Sequence, residues 1–119
     1  MHKLFVYGTL LRGRPAHLLL EKGKFAGRAV ARHLALYGVD EQFPGAVPKN
    51  GSQVLGELYE VDGRTLAVLD DYEGEEFYRC PVEVDLESGE VCKAWVYLWA
   101  GRTGGARRVP LKEQPWKCS

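Results

Sequence analysis

The stretch LFVYGTLLRG, residues 4–13, is an apolar run that stops abruptly at Gly8 and Thr9. The run predicts a buried first strand over Lys3–Tyr7, and the glycine and threonine predict the turn that ends it. A glycine lets another atom approach the main chain closely, and successive N–H groups turned the same way form an anion-binding concavity. Two interpretations follow: an ordinary strand-to-loop turn, or a loop whose backbone holds a ligand.

The spacing of this loop restricts the ligand that it would hold. The phosphate-binding patterns GxxxxGK(S/T) and GxGxxG are both absent from the sequence. A small carboxylate or a carbonyl group therefore fits the loop better than a phosphate does, and the Thr9 hydroxyl adds a polar group.

The composition predicts one globular domain over residues 1–119. Sixteen basic residues balance sixteen acidic ones, so neither nucleic acid nor an anionic membrane is favoured as a partner. No apolar stretch approaches the roughly 20 residues that span a bilayer, and the first residues lack the layout of a signal peptide. We therefore expect a cytoplasmic protein; the sequence carries no signal for an oligomeric state.

The cysteines and histidines predict neither a metal site nor a disulfide framework. The cysteines are odd in number and form no CxxC pair, and the scattered histidines form no HExxH motif. These residues are Cys80, Cys92, Cys118, His2, His17 and His33.

The first half of the chain alternates between apolar segments and turn residues. Proline near the start and glycine past the end predict a short helix over Pro15–Gly23. Alternating apolar residues predict strands over Ala26–Val39 and Gln53–Val61. The segment between them, Asp40–Gly51, is dense in proline, glycine and asparagine and is interpreted as a loop.

A helix is predicted over Gly63–Tyr72, with Asp62 as its N-cap and Gly74 in the left-handed conformation that closes it. Its predicted apolar stripe comprises Leu66, Leu69 and Tyr72.

Residues 78–99 are interpreted as a hairpin with Ser88 and Gly89 as a two-residue turn. This register places Leu86 opposite Val91, and it leaves both faces apolar, as expected inside a closed or covered sheet. The tail over residues 101–119 is expected to wrap the surface or to fray.

The acidic stretch LDDYEGEEFYR, residues 69–79, is the second candidate for chemistry. Its carboxylates are either solvated surface charges or functional groups. Glu73 differs from the others because it lies between an aromatic residue and the glycine that redirects the chain. If the turn points Glu73 into an apolar cavity, burial and the helix end both raise its pKa, as a general acid/base needs. Arg79 either pairs with this acidic cluster or meets a substrate carboxylate.

Together, FVYGTLLRG and LDDYEG…YR resemble the gamma-glutamylcyclotransferase-like family, and most of all its gamma-glutamylamine cyclotransferase and AIG2-like branch. The resemblance covers about residues 3–99. It implies an α+β fold, a small mixed β-barrel flanked by short helices. It also implies that the YG(S/T)L loop cradles the gamma-glutamyl or 5-oxoproline part of the ligand through main-chain groups; that loop is here Tyr7, Gly8, Thr9 and Leu10.

The resemblance further implies that Glu73 is the acid/base of an intramolecular reaction. The α-amine of a gamma-glutamyl group attacks its own γ-carbonyl, which releases an amine and 5-oxoproline without a metal or cofactor. The partner is then a small gamma-glutamyl substrate. The chain departs from the family at Phe77, where a Tyr-x-Arg triplet normally begins, and this affects the pocket for the departing amine. The alternatives are a non-catalytic module that binds a small carboxylate, and an interaction protein that uses the acidic turn.

Overall fold

Five strands close into a mixed barrel in the computed structural model, which describes residues 1–40 and 43–116. They are β1 (His2–Val6), β2 (Lys24–Gly38), β3 (Gly45–Val61), β4 (Phe77–Leu86) and β5 (Val91–Trp99). Around the barrel they follow the order β3-β1-β5-β4-β2, and pairing of β2 with β3 closes the ring. β1 and β5 are parallel, whereas the other neighbours are antiparallel.

One α-helix, α1 (Gly63–Glu73), occurs in the described part of the chain, together with three short 3-10 helices. The Thr65 main-chain N–H donates to Asp62 Oδ1 over 2.7 Å, which confirms the predicted N-cap. Gly74 follows with a φ of +68°, a conformation that side chains with a Cβ rarely adopt. The 3-10 helices are Pro15–Leu20, Gly74–Glu76 and Leu111–Glu113. This mixed barrel with a flanking helix confirms the predicted α+β class.

Two apolar clusters lie on opposite sides of the barrel wall, because successive strand residues point to opposite faces. On β3, Val54 and Leu58 join a cluster that draws residues from all five strands and fills the barrel. Tyr59 joins the second cluster, which packs under Leu66 and Leu69 of α1. The barrel is thus filled inside and covered by the helix outside. Tyr72 does not complete the predicted helix stripe; it is 48% exposed.

Gly56 is needed where β1 passes β3. A Cβ atom at this position would lie 2.1 Å from the Val6 main-chain oxygen and 2.7 Å from Cζ of Phe5. Neither approach is compatible with a side chain, so glycine lets the two strands pair this closely.

The prediction of a loop over Asp40–Gly51 is confirmed for Asp40, Phe43 and Pro44 and was wrong for the rest of the described segment, because β3 already begins at Gly45. Ala46 pairs with Leu36, and Pro48 pairs with Leu34. The turn-forming residues at positions 49–52 instead occupy a bulge in β3, where the register with β2 shifts and Gly51 adopts a φ of +82°.

The predicted hairpin register was wrong by one residue. The loop has three residues, because the Leu86 N–H donates to the Glu90 oxygen over 2.8 Å and Gly89 takes a φ of +96°. Asp85 therefore lies opposite Val91, and Cys80 lies opposite Val96. The shift moves Trp95 away from the face that holds Val82 and Val84, because a one-residue slip exchanges the two faces of a strand.

The tail packs on the barrel as far as it is described. A short strand, β6 (Arg107–Arg108), pairs with the end of β2. The next residue, Val109, is buried, and its N–H donates to the Leu36 oxygen over 2.8 Å. The buried Gln114 amide donates to the Val109 oxygen over 3.1 Å and accepts from the Leu55 N–H over 2.8 Å. These bonds hold the tail against the sheet.

Cys80 and Cys92 are free thiols, while Cys118 lies outside the described residues. Within the described chain, no three histidine, cysteine or acidic side chains are grouped so that they could hold a metal ion. No helix in that part of the chain is long and apolar enough to cross a membrane.

Candidate functional site

A cavity of about 620 Å³ opens where β1 and α1 both end. It brings together the loop after β1 and the last residue of α1, although these lie some sixty residues apart in the sequence. Five of the residues predicted for the site line it: Tyr7, Gly8, Thr9, Leu10 and Glu73.

Gly8 begins the turn that shapes one side of the cavity. The Leu11 N–H donates to the Gly8 oxygen over 3.0 Å. The N–H groups of Thr9 and Leu10, in the middle of this turn, are not used to close it. A Cβ atom at Gly8 would lie 2.9 Å from Cδ and Cγ of Pro44. Packing against Pro44 therefore requires glycine at position 8, whether or not a ligand also approaches the main chain there.

The Tyr7 hydroxyl is held by the protein itself. It donates to the Tyr97 main-chain oxygen over 2.6 Å and accepts from the Ala46 N–H over 3.1 Å. Burial raises the pKa of Tyr7 above its ordinary value, so the phenol stays neutral. Tyr7 thus joins the end of β1 to β5 and β3 and sets the position of the loop that follows.

Glu73 is the last residue of α1, and its half-buried side chain lies in the cavity wall. No hydrogen-bond donor contacts its carboxylate within residues 1–40 and 43–116. Burial raises the pKa of Glu73 to about 7. A carboxyl group with this pKa can both accept and return a proton near neutral pH.

Arg79 does not line the cavity and instead pairs with Asp70. Its Nε and Nη2 donate to Oδ1 and Oδ2 of Asp70 over 2.8 and 3.2 Å. The guanidinium carbon lies 4.4 Å from the centroid of the Trp95 ring. Of the two roles considered for Arg79, this structure displays pairing with the acidic cluster.

Asp70 also receives a hydrogen bond of 2.7 Å from the Tyr97 hydroxyl. Burial of the Asp70 carboxyl opposes ionisation, but the hydrogen bonds from Arg79 and Tyr97 outweigh it and hold its pKa below the usual value. Because Tyr97 lines the cavity, this network supports the cavity wall from behind.

Phe77 lines the cavity as part of an aromatic group. Its ring centroid lies 5.3 Å from that of Trp99 and 6.1 Å from that of Phe43. Tyr78 does not supply the missing hydroxyl, because its side chain is exposed and lies outside the lining.

Among the polar and aromatic residues of the cavity wall that sequence reasoning missed are Tyr72, Arg14 and Trp116. The hydroxyl of Tyr72 lies 3.4 Å from Oγ1 of Thr9. Arg14 and Trp116 also line the cavity, and Nη2 of Arg14 donates to the Trp116 main-chain oxygen. Arg14 could have been noticed, because it follows the glycine turn by six residues. Nothing in the sequence connects Trp116 with that turn.

Comparison with known proteins agrees with the observed fold. The family described as "Gamma-glutamyl cyclotransferase, AIG2-like" matches residues 4–118. Gamma-glutamylaminecyclotransferase from Homo sapiens is 42% identical over 82 residues, which cover 61% of this chain and 54% of the human protein. The gamma-glutamylcyclotransferase family protein YtfP from Escherichia coli is 30% identical over 109 residues, 90% of each chain.

Solved structures share the same architecture. An AIG2-like protein from Mus musculus superposes with a TM-score of 0.70 and 32% identity, covering 84% of this chain and 78% of the mouse chain. An uncharacterized protein from Pyrococcus horikoshii superposes with a TM-score of 0.72 and 30% identity, covering 92% and 86%. Since the match extends over nearly all of its length, the chain belongs to the gamma-glutamyl cyclotransferase, AIG2-like family.

Proposed function

We propose that this protein is a gamma-glutamylamine cyclotransferase-type enzyme. In the proposed reaction the α-amine of a gamma-glutamyl group bonds to its own γ-carbonyl carbon. The bond from that carbon to the departing amine then breaks, and 5-oxoproline and a free amine are the products. The reaction is unimolecular, so the cavity mainly has to hold a curled conformer of the substrate.

The observation that carries this proposal is the position of Glu73. A carboxyl group whose pKa is raised to about 7 lines the same cavity as the loop from Gly8 to Leu10. Ring closure needs one group that removes a proton from the α-ammonium and later gives a proton to the departing amine. Ionised Glu73 performs the first transfer, and its protonated form performs the second.

The loop supplies the electrostatic part of the proposal. Negative charge develops on the γ-carbonyl oxygen in the tetrahedral intermediate, and preorganised N–H donors stabilise it. The N–H groups of Thr9 and Leu10 are the donors we assign to this oxygen, because the turn itself does not use them. Arg79 acts indirectly, by holding Asp70 against Tyr97 in the wall.

Substitution of Glu73 tests the proposed function. The assay is 5-oxoproline release from gamma-glutamyl amino acids, gamma-glutamyl-lysine, glutathione and gamma-glutamyl polyamines. Glu73→Gln keeps the size of the side chain but cannot accept the proton, so we expect kcat to fall by about 10²–10⁴-fold while 5-oxoproline still binds. Asp71→Asn is the matched control, since Asp71 is exposed on the same helix and does not line the cavity. Full activity of Glu73→Gln would remove Glu73 as the base.

A non-catalytic module that binds a small carboxylate is the second candidate. It is favoured by one observation: Phe77 brings no hydroxyl to the cavity, and neighbouring Tyr78 faces away from it. Binding of 5-oxoproline without turnover of any substrate in the panel would support this function over the first.

A further inference from the structure

Arg14 gives the cavity a positive charge that the proposed chemistry does not use. It is the only cationic side chain among the described residues that line the cavity. The two acidic residues in the lining are Glu73 and the exposed Glu76. Neither carboxylate lies within 4 Å of the Arg14 guanidinium.

The charge of Arg14 is not neutralised by any carboxylate in the described chain. Other arginines form ion pairs: Arg32 with Asp85 and Arg79 with Asp70. Arg14 has only the neutral main-chain oxygen of Trp116 as an acceptor. A half-buried cation without a counter-charge is costly, and an anion bound in the cavity would remove that cost.

The part of the cavity wall formed by Arg14 and Trp116 also has more hydrogen-bond donors than acceptors for them. Nε of Arg14 and the indole Nε1 of Trp116 are both shielded from solvent and have no acceptor in the described structure. Buried donors are rarely left unpartnered in proteins. Both N–H groups are therefore uncompensated, and Nε belongs to the same guanidinium that lines the cavity.

The wall is held in place by the tail. Gln114 is anchored by hydrogen bonds to Leu55 and Val109, two positions before Trp116. The Trp116 ring lies over Gly38, where an added Cβ would be 3.6 Å from its Cη2. Arg14 is thus positioned before a ligand arrives, which lowers the entropy lost on binding.

We propose that Arg14, supported by Trp116, forms an anion-binding subsite for a carboxylate on the departing amine of the substrate. This inference rests on the proposed function, which places the α-amine at Glu73. The α-carboxylate of the gamma-glutamyl group shares a carbon with that amine and so stays with it beside the loop. A cavity of about 620 Å³ is far larger than this five-carbon group. The remaining space is for the departing part, and Arg14 selects those that carry a carboxylate.

Two peptides of nearly equal size test the subsite: gamma-glutamylglycine and gamma-glutamylglycinamide, which differ only in a carboxylate or a neutral amide. Binding is measured by calorimetry in the Glu73→Gln background, where turnover does not interfere. We expect gamma-glutamylglycine to bind at least about tenfold more tightly, as a charge-assisted hydrogen bond implies. Arg14→Gln reduces this preference to within about twofold by weakening only the carboxylate peptide. Unchanged binding of the amide peptide shows that the variant is folded.

Arg12→Gln is the matched control, because Arg12 lies exposed in the same loop, outside the lining, with its guanidinium 3.9 Å from the Phe25 ring centroid. It should keep the preference. Equal weakening of both peptides by Arg14→Gln would overturn the inference, because Arg14 would then contact the gamma-glutamyl part. Equal affinity of the two peptides before substitution, or binding of neither, would overturn it as well. The proposed function is tested separately with unsubstituted protein: a carboxylate preference without 5-oxoproline release refutes the cyclotransferase and leaves the subsite supported.

Discussion

Asp70 and Glu73 lie three residues apart near the end of α1, yet their carboxylates have different surroundings. Asp70 accepts hydrogen bonds from Arg79 and Tyr97, and its pKa lies below the usual value. Glu73 has no such partner in the described chain, and burial raises its pKa to about 7. The same helix end therefore carries one carboxylate that stabilises the wall and one that is available for proton transfer.

The contrast extends to the arginines. Arg79 is neutralised by Asp70 and lies over Trp95, outside the cavity, whereas Arg14 lines the cavity without a counter-charge among residues 1–40 and 43–116. The paired charges of Asp70 and Arg79 thus stabilise the cavity wall, and the unpaired groups Glu73 and Arg14 line the cavity itself. Unpaired charges reduce stability in the empty protein, as is common at functional sites.

Within the comparison of Asp70 with Glu73, the largest expected effect is in the pH dependence of turnover. Glu73 must be ionised to act as the base, so kcat/KM should rise by about tenfold per pH unit below 7 and level off above it. From pH 5 to pH 7 the expected rise is about 50-fold, because half of Glu73 is ionised at pH 7, and the plateau above pH 8 lies about 100-fold above the value at pH 5. Asp70→Asn should leave the midpoint unchanged, because burial raises the pKa of Glu73 and the charge of Asp70 does not contribute to that rise. A flat profile between pH 5 and 8 would mean that Glu73 and Asp70 do not differ in the proposed way.

Removal of the Gln114 side chain tests whether Gln114 anchors the tail that carries Trp116 to the cavity wall. Gln114→Ala leaves the Leu55 N–H and the Val109 oxygen without their partner. We expect the free energy of unfolding to fall by about 1–3 kcal/mol, measured by urea denaturation. Lys112→Gln is the control, since Lys112 is exposed in the same tail and should stay within about 0.5 kcal/mol. Equal stability of the two variants would show that the tail is not anchored through Gln114.

Asp70→Asn removes the ion pair between Asp70 and Arg79. The ion pair is partly exposed to solvent, so we expect a loss of about 1 kcal/mol at pH 7 in urea denaturation. The folded-state pKa of Asp70 is depressed below 3.8, so its stabilisation is present above that pH. The difference between the proteins should shrink as the pH falls below 3.8. A constant difference down to pH 2 would argue against the charge as its cause.

The smallest expected effect is a gain in stability from Glu73→Gln. The unfolded carboxyl loses its proton near pH 4.5, while the folded one keeps it to about pH 7. Stability contributed by Glu73 therefore falls between these values, because the unfolded state binds fewer protons. The variant should be more stable at pH 8 by under about 1 kcal/mol, since water screens a half-buried charge, and no more stable at pH 4. Thermal denaturation at both pH values measures this, with Asp71→Asn as the unaffected control.

The local elements of the fold could be predicted from the sequence where one signal dominated. Asp62 has a single role as an N-cap, and the helix begins where expected. The predicted register of the hairpin was wrong because Gly89 suits a two-residue turn as well as the three-residue loop that forms. The start of β3 was missed because its turn-forming residues sit in a bulge against β2, a feature that only the partner strand explains.

In the candidate site, too, some residues could be predicted from the sequence and others could not. Glu73 was predicted as the acid/base from its position between an aromatic residue and a glycine, but its burial depends on tertiary packing and could only be stated as a condition. Arg79 was given two roles, because the sequence does not reveal that Asp70 lies within reach. Arg14 and Trp116 meet through tertiary structure alone, and local periodicity carries no information about such a pair.

The bond between Arg14 and the Trp116 oxygen joins positions separated by 102 residues. During synthesis at about 5–20 residues per second, Arg14 leaves the ribosome some 5–20 seconds before Trp116. The turn after β1 and the helix that carries Glu73 are both synthesised before Trp116, so they precede the residue that completes the wall beside Arg14. The part of the wall that Trp116 forms, which supports the proposed subsite at Arg14, is therefore synthesised after every other residue that lines the cavity.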